Sequence, residues 1–188
     1  MDINLCSLIF SILSLIITVT NLIVFIYKFF LVSYCSINRR KKMSKLMASK
    51  VTLLNPDIII APSLNGMEVA REIINYSNRN YPLYSIDVQY RYLTPNPSSF
   101  TCCSHNFAIN IPYSHLPKNK RILIIDDLYV TGDTIKCILD HLEKSGYDKA
   151  NIFTLGLVVD TFSAKANRFP DYYAKSYNIS KFTFAWRK

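Results

Sequence analysis

Residues Ile122 to Thr134 read ILIIDDLYVTGDT, and this run restricts the possible folds more than any other part of the 188-residue chain. Four apolar, mostly β-branched residues in a row form a strand buried on both faces. Such a strand delivers Asp126 and Asp127 to its carboxyl end, the edge at which open α/β sheets bind ligands. The turn Thr131-Gly132-Asp133-Thr134 then opens a helix. Backbone N–H groups at a helix start, joined by two threonine hydroxyls, suit a phosphate. Asp133 is compatible with this role, because the helix dipole favours an acid in the first turn. Its N–H can face the phosphate while its side chain faces solvent. Carboxylates beside a phosphate cradle point to a sugar phosphate whose hydroxyls, or whose Mg²⁺, meet them.

The surrounding sequence predicts the sheet this strand belongs to. Ile58-Ile59-Ile60-Ala61, after Pro56-Asp57, reads as a second buried strand, followed by Pro62-Ser63-Leu64-Asn65-Gly66 and a helix from about Met67 to Tyr76. Leu83 to Val88 and Phe107 to Ile111 are further strands, separated by a loop over 89–104 that holds two prolines; loops of that length in compact domains are often functional. A helix over Thr134 to Lys144 keeps Ile135, Ile138, Leu139 and Leu142 on one face, with Gly146 at its C-terminal cap. Asn151 to Val159 is the last buried strand. Strands alternating with helices predict an α/β fold with a parallel sheet and helices on both faces.

The N-terminus has a different character. Leu5 to Tyr27 contains no charged residue and no Gly or Pro. At about 1.5 Å per residue it spans a bilayer core of about 30 Å as a helix. No small-residue cleavage site follows, so the run reads as an uncleaved signal anchor rather than a removed signal peptide. Its N-terminal flank offers only Asp2, whereas Arg39, Arg40, Lys41, Lys42, Lys45 and Lys50 follow it. The positive-inside rule then places the remainder in the cytoplasm, as a single-pass membrane protein. The expected organisation is a transmembrane anchor over 1–35, a basic juxtamembrane linker over 36–50 and a folded domain over 51–188. Residues 1–50 hold six of the nine net positive charges, so the basic balance reports a membrane surface and no nucleic-acid partner is expected. The five cysteines form no C-x-x-C pair, and their odd number argues against a secreted disulfide scaffold. The three histidines have no metal-ligand spacing.

Four apolar residues, two acids, an apolar linker and T-G-x-T together resemble the phosphoribosyl pyrophosphate (PRPP) motif of the type I phosphoribosyltransferases. The segment from Pro56 to Met67 is similar to that family's first strand and pyrophosphate loop. Pro170-Asp171-Tyr172-Tyr173 and Phe182-Thr183-Phe184-Ala185-Trp186 resemble the hood of its hypoxanthine/xanthine/guanine salvage branch. The resemblance covers about residues 50–188 and implies the type I phosphoribosyltransferase fold, a parallel sheet flanked by helices with a small C-terminal hood, preceded here by one transmembrane helix. It also implies that Asp126 and Asp127 hold the ribose hydroxyls, with Mg²⁺ carried mainly by PRPP and in part by these two acids. Thr131, Gly132, Asp133 and Thr134 then wrap the 5′-phosphate, and Ser63, Leu64, Asn65 and Gly66 approach pyrophosphate through their N–H groups. Asp160, Phe182, Phe184 and Trp186 are the base and hood candidates. The implied partners are PRPP and a nucleobase or nucleotide, with a homo-oligomer left open.

The chain departs from the family pattern at three places. Val130 stands where many purine enzymes carry an acid, and it cannot transfer a proton. Leu64 and Asn65 replace the usual cation and glycine of the pyrophosphate loop; Arg91 is a cation that could substitute. Asp160 stands near where a lysine reads the ring oxygen, and a carboxylate accepts from N–H donors instead. The expected activity is phosphoribosyl transfer to a nucleobase-like acceptor with release of pyrophosphate. The alternatives are a catalytically weak, membrane-tethered sensor of PRPP or nucleotide, and a defence effector acting at the membrane.

Overall fold

The computed structural model describes the backbone of residues 3–90, 101–102, 107–110, 117–161 and 169–177. Side chains are described for these residues except 3–13, 25, 27–35, 88–90, 101–102 and 107–110. Phe182, Phe184, Trp186 and Arg91 lie outside the described residues.

Helix α1 runs over Ile3–Leu54. It is followed by β1 (Ile58–Pro62), α2 (Ser63–Ser77), β2 (Leu83–Tyr90), β3 (Thr101–Cys102) and β4 (Phe107–Asn110). Then come β5 (Ile122–Tyr129), α3 (Asp133–Lys144), a single 3₁₀ turn over Lys149–Asn151, β6 (Ile152–Asp160) and β7 (Tyr172–Tyr177). The strands form one sheet in the order β3-β4-β2-β1-β5-β6-β7. Strands β2, β1, β5, β6 and β7 are parallel, and β4 pairs antiparallel with both β2 and β3. The predicted parallel α/β core is therefore present, with an antiparallel extension at one edge. Strand β7 is a finding: the sequence reading placed Tyr172 and Tyr173 in a hood, whereas they open an edge strand beside β6. Its alternation of half-buried and exposed residues is interrupted by polar Lys175 and Ser176, which hides the strand pattern.

The sheet buries both faces. All eight residues of β5 are buried, with Ile122 and Ile124 facing α3 and Leu123 and Ile125 facing α2. The α3 layer contributes Ile135, Ile138 and Leu142, and the α2 layer Val69, Ala70 and Ile73. Cys137 of α3 is disulfide-bonded, which the irregular spacing of the cysteines did not foretell.

The two parts of α1 differ. Residues 1–39 fall in one compact unit and residues 40–183 in another. In the first, Leu15, Ile16, Ile17, Val19, Leu22, Ile23, Val24 and Ile26 are all exposed. At about 100° per residue these positions cover well over half of the helix circumference, the rest holding Thr18 and Asn21. Among the described residues, no helix is long and apolar enough to cross a membrane. Much of the run from Leu5 to Tyr27 has side chains outside the described set.

In the second unit, residues 40–54 are helical and packed, although the sequence reading assigned most of them to a linker. Met47, Ala48 and Val51 are buried against the α2 layer, and Met43 and Leu54 are partly so. The lysines hide this, because Lys41, Lys42, Lys45 and Lys50 occupy the exposed face while apolar residues recur at helical spacing on the other. A charged clamp completes the contact. Arg40 Nη1 donates to Glu68 Oε2 at 2.7 Å, and Arg40 Nη2 to Glu72 Oε1 at 2.8 Å. The fully buried Ser44 donates to Glu72 Oε2 at 3.1 Å. Replacing Arg40 by Ala leaves two glutamates facing each other on α2 with their guanidinium removed. The expected cost is about 2 kcal/mol, below that of a fully buried pair because Glu68 is half exposed. Denaturant unfolding of Arg40→Ala beside the parent chain measures it.

Candidate active site

The sheet's carboxyl edge gathers the residues that the sequence singles out. Asp126 and Asp127 lie within β5, 8% and 0% exposed, and the strand runs on through the buried Leu128 and Tyr129. The Asp127 N–H donates to Asp126 Oδ1 at 2.9 Å, which fixes the first carboxylate against the backbone. The chain then passes through Val130, 36% exposed, into the turn that opens α3. Gly132 has φ of 74°, a left-handed conformation that favours glycine, and caps α3. The Asp133 N–H approaches Thr131 Oγ1 at 3.4 Å, and the Lys136 N–H donates to the Gly132 carbonyl at 2.9 Å. Thr131, Gly132, Asp133 and Thr134 thus form a helix-opening turn on the strand that carries both acids, as the motif requires.

The second segment meets the first. Ser63, Leu64, Asn65 and Gly66 are not a separate loop; they are the opening turn of α2, directly after β1. Ser63 has φ of 65°, an uncommon value for a residue other than glycine, and its Oγ accepts from the Gly66 N–H at 3.3 Å. Capping of this kind lets the helix start without an intervening loop. Leu64 is 75% exposed, so no cation occupies its position and an apolar side chain faces solvent. Gly66 is buried against β5. A Cβ there would lie 3.2 Å from the Ile125 carbonyl oxygen and 3.5 Å from Asp126 Oδ1. Gly66→Ala therefore pushes the first turn of α2 away from Asp126. The backbone oxygen can yield little, so we expect a stability loss of about 1–2 kcal/mol. An accompanying fall of about tenfold in affinity for a ligand spanning both segments equals ~1.4 kcal/mol. Thermal melts and a ligand titration on the same variant separate the two effects.

Asp160 closes β6 and is buried. It follows Val159, the register partner of Tyr129, and is itself paired with Tyr177 of β7. This puts a carboxylate one strand away from the Asp126-Asp127 pair, at the level of Val130.

A supporting layer escaped the sequence reading. The ring of Tyr129 lies over Gly156 of β6, where a Cβ would sit 2.8 Å from Tyr129 Cδ2. Burial, together with the Asp126 and Asp171 carboxylates, raises the Tyr129 phenol well above its ordinary range, so it stays protonated. Asp171 holds the start of β7 against β6. Its Oδ2 accepts from the Thr154 N–H at 2.7 Å and the Thr154 hydroxyl at 2.8 Å, while its own N–H donates to Thr154 Oγ1 at 3.0 Å. The one signal in the sequence was Gly156 itself, a glycine inside a run of buried strand residues, which marks a close approach.

The donor set suits Mg²⁺ only in company. Among the described residues no group of three or more His, Cys, Asp or Glu side chains is placed to hold a metal. Two neighbouring carboxylates match the habit of Mg²⁺, which takes one or two protein oxygens and completes its shell from substrate phosphates and water.

Residues 36–187 match the family described as the phosphoribosyl transferase domain. The chain is 27% identical over 140 residues to an adenine phosphoribosyltransferase of Mycoplasma capricolum subsp. capricolum, covering 70% of this chain and 76% of that protein. It is 24% identical over 134 residues to an adenine phosphoribosyltransferase of Mycoplasma mycoides subsp. mycoides, covering 67% and 72%. Among solved structures it is similar to a purine phosphoribosyltransferase from Pyrococcus horikoshii, with a TM-score of 0.58, 24% identity and coverage of 74% and 83%. A hypoxanthine phosphoribosyltransferase from Staphylococcus aureus gives a TM-score of 0.57 at 17% identity, covering 74% of this chain and 73% of that one. At these identities the solved structures establish the fold. The family match starts at residue 36 and so takes in the α1 residues that pack on α2.

Proposed function

Because the chain belongs to the phosphoribosyl transferase domain family, we propose that it transfers phosphoribose from Mg-PRPP to a purine, with adenine preferred over 6-oxopurines. The observation that carries this reading is the meeting of two segments at one sheet edge, the Gly66 turn of α2 against Asp126 of β5. The pairing of β1 with β5 supports it by bringing the opening turn of α2 beside Asp126, as a ligand with both a ribose and a pyrophosphate would need. The base assignment rests on two supports. Both curated relatives are adenine phosphoribosyltransferases. Asp160, at the end of β6, is a carboxylate, a group that accepts from an amino donor such as the 6-amino group of adenine and not from the 6-oxo group of hypoxanthine or guanine.

In the proposed reaction a base nitrogen attacks C1 of PRPP. The C1–O bond to pyrophosphate breaks, and its electron pair leaves with pyrophosphate. The proton released from the base nitrogen passes to water, since Val130 cannot accept it. Mg²⁺, when bound with PRPP, neutralises charge on the leaving pyrophosphate. Asp126 and Asp127 orient the ribose by accepting from its hydroxyls and favour the positive charge that builds at C1. The α3 turn fixes the 5′-phosphate, which sets the sugar in line with the incoming base.

We also propose that residues 5–27 anchor the domain in a membrane as a single pass, with the folded domain in the cytoplasm. Exposed apolar side chains over more than half of the circumference of this part of α1 support it. So do Thr18 and Thr20, whose hydroxyls donate to the Ser14 and Ile16 carbonyls at 2.9 and 2.8 Å and need no water. The Cys137 disulfide is the contrary observation, because cytoplasmic thiols are kept reduced. Alkaline extraction and protease protection of membrane vesicles decide the matter. The proposal expects retention in the membrane fraction and a domain accessible from the cytoplasmic face; a protected domain reverses the orientation.

Leu64 and Val130 favour a second reading, a membrane-tethered sensor that binds PRPP or nucleotide with little turnover. Incubating the full chain with Mg-PRPP and single bases separates the two. Adenine-dependent release of pyrophosphate, weaker with hypoxanthine, guanine and pyrimidines, supports the transferase. Release with a 6-oxopurine alone moves the base assignment. Binding of PRPP without release from any base leaves the sensor.

A further inference from the structure

A cavity of about 330 Å³ lies along the flank of α3, and neither Asp126 nor Asp127 is among its lining residues. It runs from Gly132 at the start of α3, past Ile135 and Leu139, down to Thr154 near the amino end of β6, with Tyr129 and Phe169 as its other walls. Its size is within the range of small-molecule sites. Its lining is mostly hydrocarbon and aromatic. The Phe169 ring stacks on Tyr173 with centroids 5.4 Å apart and 28° between planes. The floor asks for little, because the Thr154 hydroxyl is already engaged with Asp171. Lys136 is the one charged residue among those that line it, and it is exposed at the rim. An apolar slot with aromatic walls and a single ammonium at its mouth is complementary to a flat ring bearing one acidic group.

We propose that this cavity is a second ligand site, for a small aromatic acid, beside the phosphate turn. Only Gly132 is shared with that turn. Its left-handed φ sets the direction in which the chain leaves Thr131 for Thr134. A ligand packed against Gly132 restrains the turn, so its occupancy and the affinity of the turn for phosphate are linked, and equally in both directions. The binding itself does not rest on the transferase reading.

The probe is 4-fluorobenzoate, followed by ¹⁹F line broadening on the full chain in detergent, with empty micelles as blank. The result expected is saturable binding that the uncharged 4-fluorobenzamide matches only at about tenfold higher concentration, one charge-assisted contact being worth roughly that factor. Lys136→Gln weakens the benzoate by the same factor. Leu139→Trp, which fills the slot, removes binding of both probes. Lys136 is exposed, so its variant keeps the test valid if the Leu139 variant does not fold. No saturable binding overturns the proposal, as does binding that neither variant changes. Full competitive displacement by Mg-PRPP also overturns it, by placing the probe in the phosphate turn instead. Failure of PRPP to bind at all leaves the probe measurements intact and counts against the transferase alone.

Discussion

A chain beginning at residue 51 is expected to be unfolded or aggregated, whereas one beginning at residue 36 is expected to fold. The shorter chain lacks Met43, Met47 and Ala48, and it uncovers the α2 layer around Ile59, Ile73 and Tyr81. Each large apolar side chain removed from such a contact costs about 1.5–3 kcal/mol. Loss of the Arg40 clamp on Glu68 and Glu72 adds about 2 kcal/mol. Together these approach the whole stability of an ordinary domain, about 5–15 kcal/mol. A chain starting at Lys42 keeps most of the apolar contact and loses only the clamp, so it should fold with a lowered melting temperature. Circular dichroism and thermal melts of the three chains, each purified in the same buffer, give the order. Equal stability of the 51–188 and 36–188 chains would mean that α1 is dispensable to the domain.

Replacing Asp126 and Asp127 together by Asn is expected to lower kcat/KM for PRPP by a factor of about 10² to 10⁴. The estimate takes two charge-assisted contacts to ribose hydroxyls at about 1.5–3 kcal/mol each. Asn keeps the size of the side chain, and an amide is easier to bury than a carboxylate, so the fold should survive. Either single variant should fall between. Asp126 has the added task of accepting from the Asp127 N–H, a contact that the Asn oxygen can still make. Steady-state rates at saturating base, with a melting curve for each variant, separate loss of chemistry from loss of fold.

The contrast between these two predictions reflects what the sequence disclosed. The strand from Ile122 was legible because a buried parallel strand is an uninterrupted apolar run, but it continues through the two acids to Tyr129, beyond the end that the acids suggested. The organisation of β1 and α2 was legible in outline, but the turn Ser63–Gly66 read as a loop. In the structure the helix begins at Ser63, directly after β1, and the Ser63 Oγ accepts from the Gly66 N–H. Residues 40–50 were assigned to a linker because four lysines and an arginine looked like a headgroup-facing segment. In the structure those lysines occupy one face of an amphipathic helix, and the apolar residues between them belong to the core. Strand β7 was missed because an edge strand with one exposed face can carry polar residues. Its place is fixed by a long-range contact, Asp171 with Thr154, that no local pattern encodes.

The central claim is that the edge built from Asp126, Asp127, the α3 turn and the Gly66 turn binds PRPP. Titration calorimetry of the full chain with PRPP in the presence of Mg²⁺ tests it most directly. The account predicts saturable one-to-one binding that requires Mg²⁺ and is lost in Asp126→Asn/Asp127→Asn. Absence of binding by a chain whose melting curve shows an intact domain would contradict it.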